Sequence, residues 1–310
     1  MEDPLIDVAV RLTRVTKSFS SRAAVKELSL VVPRGSVYGL LGPNGAGKTT
    51  TLRMILNILA PDSGEIEILG RPADATTRDL IGYMPEERGL YPRMVLEDQL
   101  LFLAELKGVR RAEAAARLPA WLERLGLSEW RRRRVNELSK GMQQKAQFIA
   151  AILHEPAILI LDEPTSGLDP VAADLMRGLL LERRRAGSTI VLSSHQMDTV
   201  ERLCDSISLI NRGEKLLEGE VAEVKRQHGK NTVLLAFEGD GAFLAGLPGV
   251  VEVRDFGRHV ELRLGEGCDP QSLLQQATQR LRVSRFEVVE PSLHAIFLER
   301  VGAHGGAAAA

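Results

Sequence analysis

The chain has 310 residues, 44% of them hydrophobic, with a formal net charge of -1. That length accommodates one large domain and a smaller one, and the near-neutral charge argues against a surface built around nucleic acid. No apolar run approaches the ~20 residues of a membrane helix, and MEDPLIDVAVRL lacks the basic and apolar regions of a signal peptide, so a cytoplasmic chain is expected.

In chain order, Val8 to Thr16, Ala24 to Val32 and Glu65 to Leu69 carry short alternating or β-branched patterns, which predict a small antiparallel sheet. SVYGLL (36–41), AILIL (157–161) and STIVLSS (188–194) are compact apolar runs beside helix-like patterns, as in buried parallel strands. From about 96 to 153 the chain is rich in Ala, Leu, Glu and Arg and predicts a helical insertion, a subdomain of about 90–155. Within it Ser139 reads as the N-cap of a helix whose apolar face is Ala146, Ile149, Ala150 and Leu153. After about Gly229, strands alternate with PQSLLQQATQRL and PSLHAIFLERV, predicting a small α+β domain at 230–301 and a disordered tail at 302–310. Cys204 and Cys268 stand in unrelated contexts and predict neither a disulfide framework nor a zinc site.

Two segments carry chemistry. GPNGAGKT (42–49) fits G-x-x-x-x-G-K-[S/T] and lies between an apolar strand and a helix pattern, the context that motif requires. Its glycines allow the backbone to wrap a phosphate, Lys48 reaches the β- and γ-phosphates, and the Thr49 hydroxyl faces Mg²⁺. In AILILDEPTSGLDP (157–170), Asp162 ends a strand where it can orient Mg²⁺, and Glu163 can polarise a water toward the γ-phosphate; a merely polar strand end is the alternative.

The order of GPNGAGKT, LSKGMQQK, ILILDEP, SGLD and SSH195 resembles the nucleotide-binding subunit of an ATP-binding cassette (ABC) transporter over nearly all of residues 7–228. The resemblance implies an α/β fold: a P-loop NTPase core with an N-terminal antiparallel β subdomain and a helical insertion, followed by the small α+β domain. It implies ATP held by Gly42, Pro43, Asn44, Gly45, Ala46, Gly47, Lys48, Thr49 and Thr50, with Phe19 stacked on adenine. It makes Glu163 the catalytic base, His195 the γ-phosphate sensor and Asp169 part of the loop crossing to a second copy. Taken singly, Phe19 reads as a core aromatic and His195 as a strand-end surface residue. Ser139, Lys140, Gly141 and Met142 become the signature that binds the γ-phosphate of ATP held by the other copy of a head-to-tail dimer.

Three positions depart from the family pattern. Lys140 replaces a glycine, Met142 a glutamine, and Glu86 the glutamine that contacts Mg²⁺ and relays nucleotide state; a solvated charged turn is the other reading of Glu86. PEERGLYP, LSKGMQQK and the C-terminal extension are similar to the branch serving ABC-2-type exporters, which includes sodium-efflux and drug-efflux ATPases. That branch implies a separately encoded membrane permease as partner and a place at the inner face of the cell membrane. The rival is a soluble translation-associated or regulatory ABC ATPase, which tandem cassettes or a long coiled-coil insertion would mark.

Overall fold

In the computed structural model, residues 7–20, 22–87, 89–228, 232–265 and 267–306 are described. They fall into two compact units, Met1–Gly219 and Glu220–Ala310. The first unit runs β1 (Val8–Phe19), β2 (Arg22–Pro33), β3 (Val37–Leu41), α1 (Lys48–Ile55), β4 (Ser63–Ile68), β5 (Arg71–Pro72) and β6 (Ile81–Met84). It continues with α2 (Leu96–Leu106), α3 (Arg111–Arg124), α4 (Lys140–Ile152), β7 (Ile158–Asp162), α5 (Pro170–Arg185), β8 (Thr189–Ser194), α6 (Met197–Leu203), β9 (Ser206–Asn211) and β10 (Glu214–Glu220). The second runs α7 (Val221–Gln227), β11 (Thr232–Glu238), β12 (Val250–Asp255), β13 (Val260–Leu264), α8 (Pro270–Thr278), β14 (Arg282–Val289) and α9 (Leu293–Gly306).

In the first unit a four-stranded sheet of order β2-β1-β4-β5, antiparallel at each pairing, faces a six-stranded sheet of order β10-β9-β3-β8-β7-β6 across one apolar cluster. Strands β3, β7 and β8 are buried at every residue, which is why they read as continuous apolar runs rather than alternations. Their parallel pairing aligns their carboxyl ends: β3 with β8, and β7 with β8. Ligands of open parallel sheets bind at such strand ends, and the loops after β3, β7 and β8 carry GPNGAGKT, Glu163 and His195. The inserted helices α2, α3 and α4 lie between β6 and β7 in sequence.

The second unit is a four-stranded antiparallel sheet of order β12-β13-β11-β14, with α8 closing a core of Val233, Leu235, Leu262, Leu273 and Ala277. The strand-helix order is that of a split β-α-β unit whose first helix is reduced to the 3₁₀ turn Ala242–Gly246. Two boundaries differ from the sequence expectation. The unit begins at Glu220 rather than near 230, because α7, with Val221 and Val224 buried, groups with it. The expected tail at 302–310 is helical as far as Gly306, since a nucleated helix gains a hydrogen bond with each added residue; residues 307–310 lie outside the described residues. No helix among the described residues is long and apolar enough to cross a membrane.

Candidate nucleotide site

The loop between β3 and α1 is held in shape from behind. Gly42 has φ 151°, and a Cβ there would stand 2.1 Å from the Ile210 carbonyl oxygen; Gly47, the N-cap of α1, has φ 109°, and its Cβ would stand 2.4 Å from that of Ala24. Neither position tolerates a side chain. The Gly213 N–H donates to the Ala46 carbonyl at 2.9 Å, so the turn between β9 and β10 braces the loop. Gly47→Ala is therefore expected to lower stability by about 1–3 kcal/mol through overpacking, read as a lower urea midpoint without a change in slope.

Lys48 is buried, and its Nζ donates to the carbonyls of Gly42 at 2.7 Å and Pro43 at 3.2 Å. Its third donor faces Glu163, whose Oε1 is 3.9 Å away. Burial lowers the pKa of the ammonium, and the nearby Glu163, Asp162 and Glu86 partly oppose that shift. Loop carbonyls are weak substitutes for a phosphate, so the ammonium is poised to exchange them for one.

Asp162 ends β7 fully buried. Its Oδ1 accepts a hydrogen bond from Ser193 Oγ at 2.5 Å, whereas Oδ2 is buried without a protein partner. A desolvated carboxylate oxygen left unpaired is costly unless something cationic meets it. Together with Thr49 in the same cleft, this donor set fits Mg²⁺, which binds one or two carboxylates plus substrate phosphates rather than an all-protein cage.

Glu163 follows with φ 51°, a left-handed backbone uncommon outside glycine. Its N–H donates to Ser193 Oγ at 3.1 Å, and its buried Oε1 lies 2.8 Å from His195 Nδ1. Phe19, Arg22, Ala24, Asn44 to Thr50, Glu86, Asp162 and Glu163 line one cleft of about 370 Å³. Phe19 stands half exposed at its edge. Gly42 and Pro43 meet the cleft through the Lys48 ammonium, and His195 through Glu163.

Ser139, Lys140, Gly141, Met142 and Asp169 do not line this cleft. Ser139 caps α4, its Oγ accepting from the Met142 N–H at 3.3 Å. The helix begins at Lys140, leaving a polar first turn at a positive dipole end. Asp169 caps α5 in the same way, its Oδ1 accepting from Ala172 N–H at 2.9 Å; those backbone donors hold its carboxyl below the usual carboxylate range.

Residues 25–166 match the ABC transporter family, and residues 219–301 match the domain described as "ATP-binding protein DrrA1-3-like, C-terminal domain". The uncharacterized ABC transporter ATP-binding protein YhaQ of Bacillus subtilis is 43% identical over 292 residues, covering 94% of this chain and 98% of its own length. The chain belongs to the ABC transporter ATP-binding protein family. It accordingly binds ATP and hydrolyses it to power transport, and ABC subunits of this kind work with membrane permease components. The Nod factor export ATP-binding protein I of Rhizobium sp. is 35% identical over 307 residues, covering 95% of this chain and 97% of its own. A solved ATP-binding subunit of an ABC transporter is similar at a TM-score of 0.67 and 34% identity, covering 71% of this chain and 93% of that one.

Arg22 and Ala24 lie outside the motifs of this ABC site that the sequence shows, and Ser193 lies within SSH195 without a role of its own there. Arg22 and Ala24 at the start of β2 line the cleft, and the Ala24 carbonyl packs against Gly47 of the phosphate loop. Ser193 joins Asp162 to Glu163, because the β7–β8 register sets Asp162 beside it. Its only sequence signal is its place two residues before His195.

Proposed function

We propose that this chain is the motor subunit of an exporter, working with a separately encoded permease at the inner face of the cell membrane. The observation that carries the reading is one cleft combining the phosphate loop, the unpaired Asp162 Oδ2 and the His195-linked Glu163. The export direction is supported by the C-terminal domain and by the similarity to a Nod factor export protein over nearly the full length of both chains.

The chemistry derives from the residues present. The ATP phosphates lie along the backbone N–H groups of Asn44 to Lys48 at the start of α1, where the helix dipole favours anions, with adenine against Phe19. Thr49, Asp162 and Glu86 would hold Mg²⁺, which when bound neutralises charge building on the β- and γ-phosphates. Glu163 accepts the proton of a water attacking the γ-phosphorus in line. The bond to the β–γ bridging oxygen breaks, and ADP and inorganic phosphate leave while Lys48 stabilises the charge. His195, against Glu163 Oε1, orients that carboxylate and meets the γ-phosphate.

One anion site outside the cis cleft supports a head-to-tail dimer. The capped N-terminus of α4, with Ser139, Lys140, Gly141 and Met142, is free to meet the γ-phosphate of a second copy, with Asp169 crossing beside it. Ser139→Arg is expected to leave ATP binding by the monomer unchanged while hydrolysis in the dimer falls at least tenfold, the loss of a helix-end phosphate contact made in the transition state. Titration with a fluorescent ATP analogue and a phosphate-release assay separate the two effects. For the export reading, the tagged chain is recovered from detergent-solubilised membranes: co-purification of a polytopic membrane protein supports it, and recovery of ribosomes or of no partner overturns it.

A further inference from the structure

Three glutamines in the first two turns of α4 donate their side-chain amides to backbone carbonyls of three separate segments. Gln143 Nε2 donates to Val135 O at 3.1 Å and Leu138 O at 2.9 Å, and so fastens the helix to the chain that precedes it. Gln147 Nε2 donates to Glu87 O at 3.1 Å, in the loop after β6. Gln144 Nε2 alone reaches the segment after β7, donating to Pro164 O at 3.0 Å and contacting Glu163 O at 3.4 Å.

That target matters because of the backbone at Glu163. Its left-handed φ of 51° costs a non-glycine residue on the order of 1 kcal/mol or more, and such a conformation persists only where its surroundings over-determine it. The constraint on the N-terminal side is Ser193 Oγ, which accepts the Glu163 N–H. On the C-terminal side the Glu163 carbonyl accepts from the Ser166 N–H at 3.1 Å within the turn, and Gln144 ties that turn to α4 by holding the Glu163 and Pro164 carbonyls. With both peptide groups fixed, the carboxylate leaves the main chain in one direction, toward His195 Nδ1 and Lys48 Nζ.

We propose that Gln144 is a positioning residue for ATP hydrolysis: it locks the backbone of Glu163 to α4, the helix whose N-terminus is capped by Ser139. The inference rests on Glu163 being the base. Gln144 touches no reacting atom; it acts by fixing where the carboxylate stands, and it makes α4 the element through which an anion at Ser139 alters that placement.

The test uses the purified full chain and Mg²⁺ with ATP. Gln144→Met removes the amide donor at similar volume, and Gln144→Lys restores a donor of similar reach. In Gln144→Met, kcat is expected to fall on the order of tenfold or more, as displaced catalytic groups do, while the dissociation constant for a fluorescent ATP analogue and the unfolding midpoint stay within twofold and within a few degrees of wild type. Gln144→Lys recovers at least half of the lost rate. In a Glu163→Gln background, Gln144→Met has no further effect on hydrolysis, because the group it positions is already inactive. Unchanged kcat in Gln144→Met overturns the proposal, as does parallel loss of ATP affinity and stability, or a full additional loss in the Glu163→Gln background. Glu163→Gln turning over normally would unseat the base assignment and the role of Gln144 with it, whereas unchanged kcat in Gln144→Met beside an inactive Glu163→Gln removes the role of Gln144 alone.

Discussion

Glu163→Gln is expected to bind ATP with wild-type affinity and to hydrolyse it about 10²–10⁴ times more slowly, the range lost with a positioned general base. The amide keeps the size of the carboxylate and can still meet His195 Nδ1, 2.8 Å from the present Oε1, so the cleft should keep its shape. What it loses is the ability to take a proton from the attacking water. ATP then persists at both interfaces of the proposed dimer, and the dimer accumulates. Size-exclusion chromatography with light scattering, with and without ATP, gives the decisive reading. A variant that hydrolyses ATP normally, or stays monomeric with ATP bound, would remove Glu163 from the role of base.

Lys48→Ala is expected to fail one step earlier. The ammonium is buried, and its present partners are two loop carbonyls and, more distantly, Glu163. Its replacement removes a charge-assisted contact to phosphate worth about 1.5–3 kcal/mol, or roughly tenfold to a hundredfold in affinity. It also leaves Asp162, Glu163 and Glu86 facing the anion with their opposing charge gone. A titration with the fluorescent analogue that returns wild-type affinity would refute this. The lowered pKa sets a sign for pH as well. Lys48 sheds its proton at a lower pH than an exposed lysine, so nucleotide affinity should decline on the alkaline side while an acidic shift leaves the ammonium intact.

The two variants rest on residues that differ in how they could be found. GPNGAGKT is contiguous, and its strand before and helix after are visible as local patterns, so Lys48 was identifiable from the chain alone. Glu163 follows an equally visible buried strand. Ser193 is different. Its contacts with Asp162 and Glu163 arise from parallel pairing of β7 with β8, and no local periodicity encodes which residue lands opposite a strand 31 positions away. Arg22 reaches the cleft because β1 turns back into β2 beside Phe19, a tertiary fact with no motif. The division at Gly219/Glu220 is a related case: α7 is short and charged, and only its contacts group it with the residues that follow. Helix α9 continues to Gly306 where composition alone suggested a tail, because a helix already under way extends through residues that would not start one.

The brace behind the phosphate loop has a thermodynamic meaning. The Ile210 carbonyl pressed on Gly42, the Ala24 carbonyl on Gly47 and the Gly213 N–H on Ala46 fix the loop by contacts that involve no nucleotide. A loop already in its binding shape gives up little conformational freedom when a phosphate arrives, so the enthalpy of the new N–H···O contacts is not offset by ordering of the main chain. Nucleotide capture is then expected to order little of the main chain, and in the proposed dimer the larger rearrangements would fall to the elements that meet when two copies close.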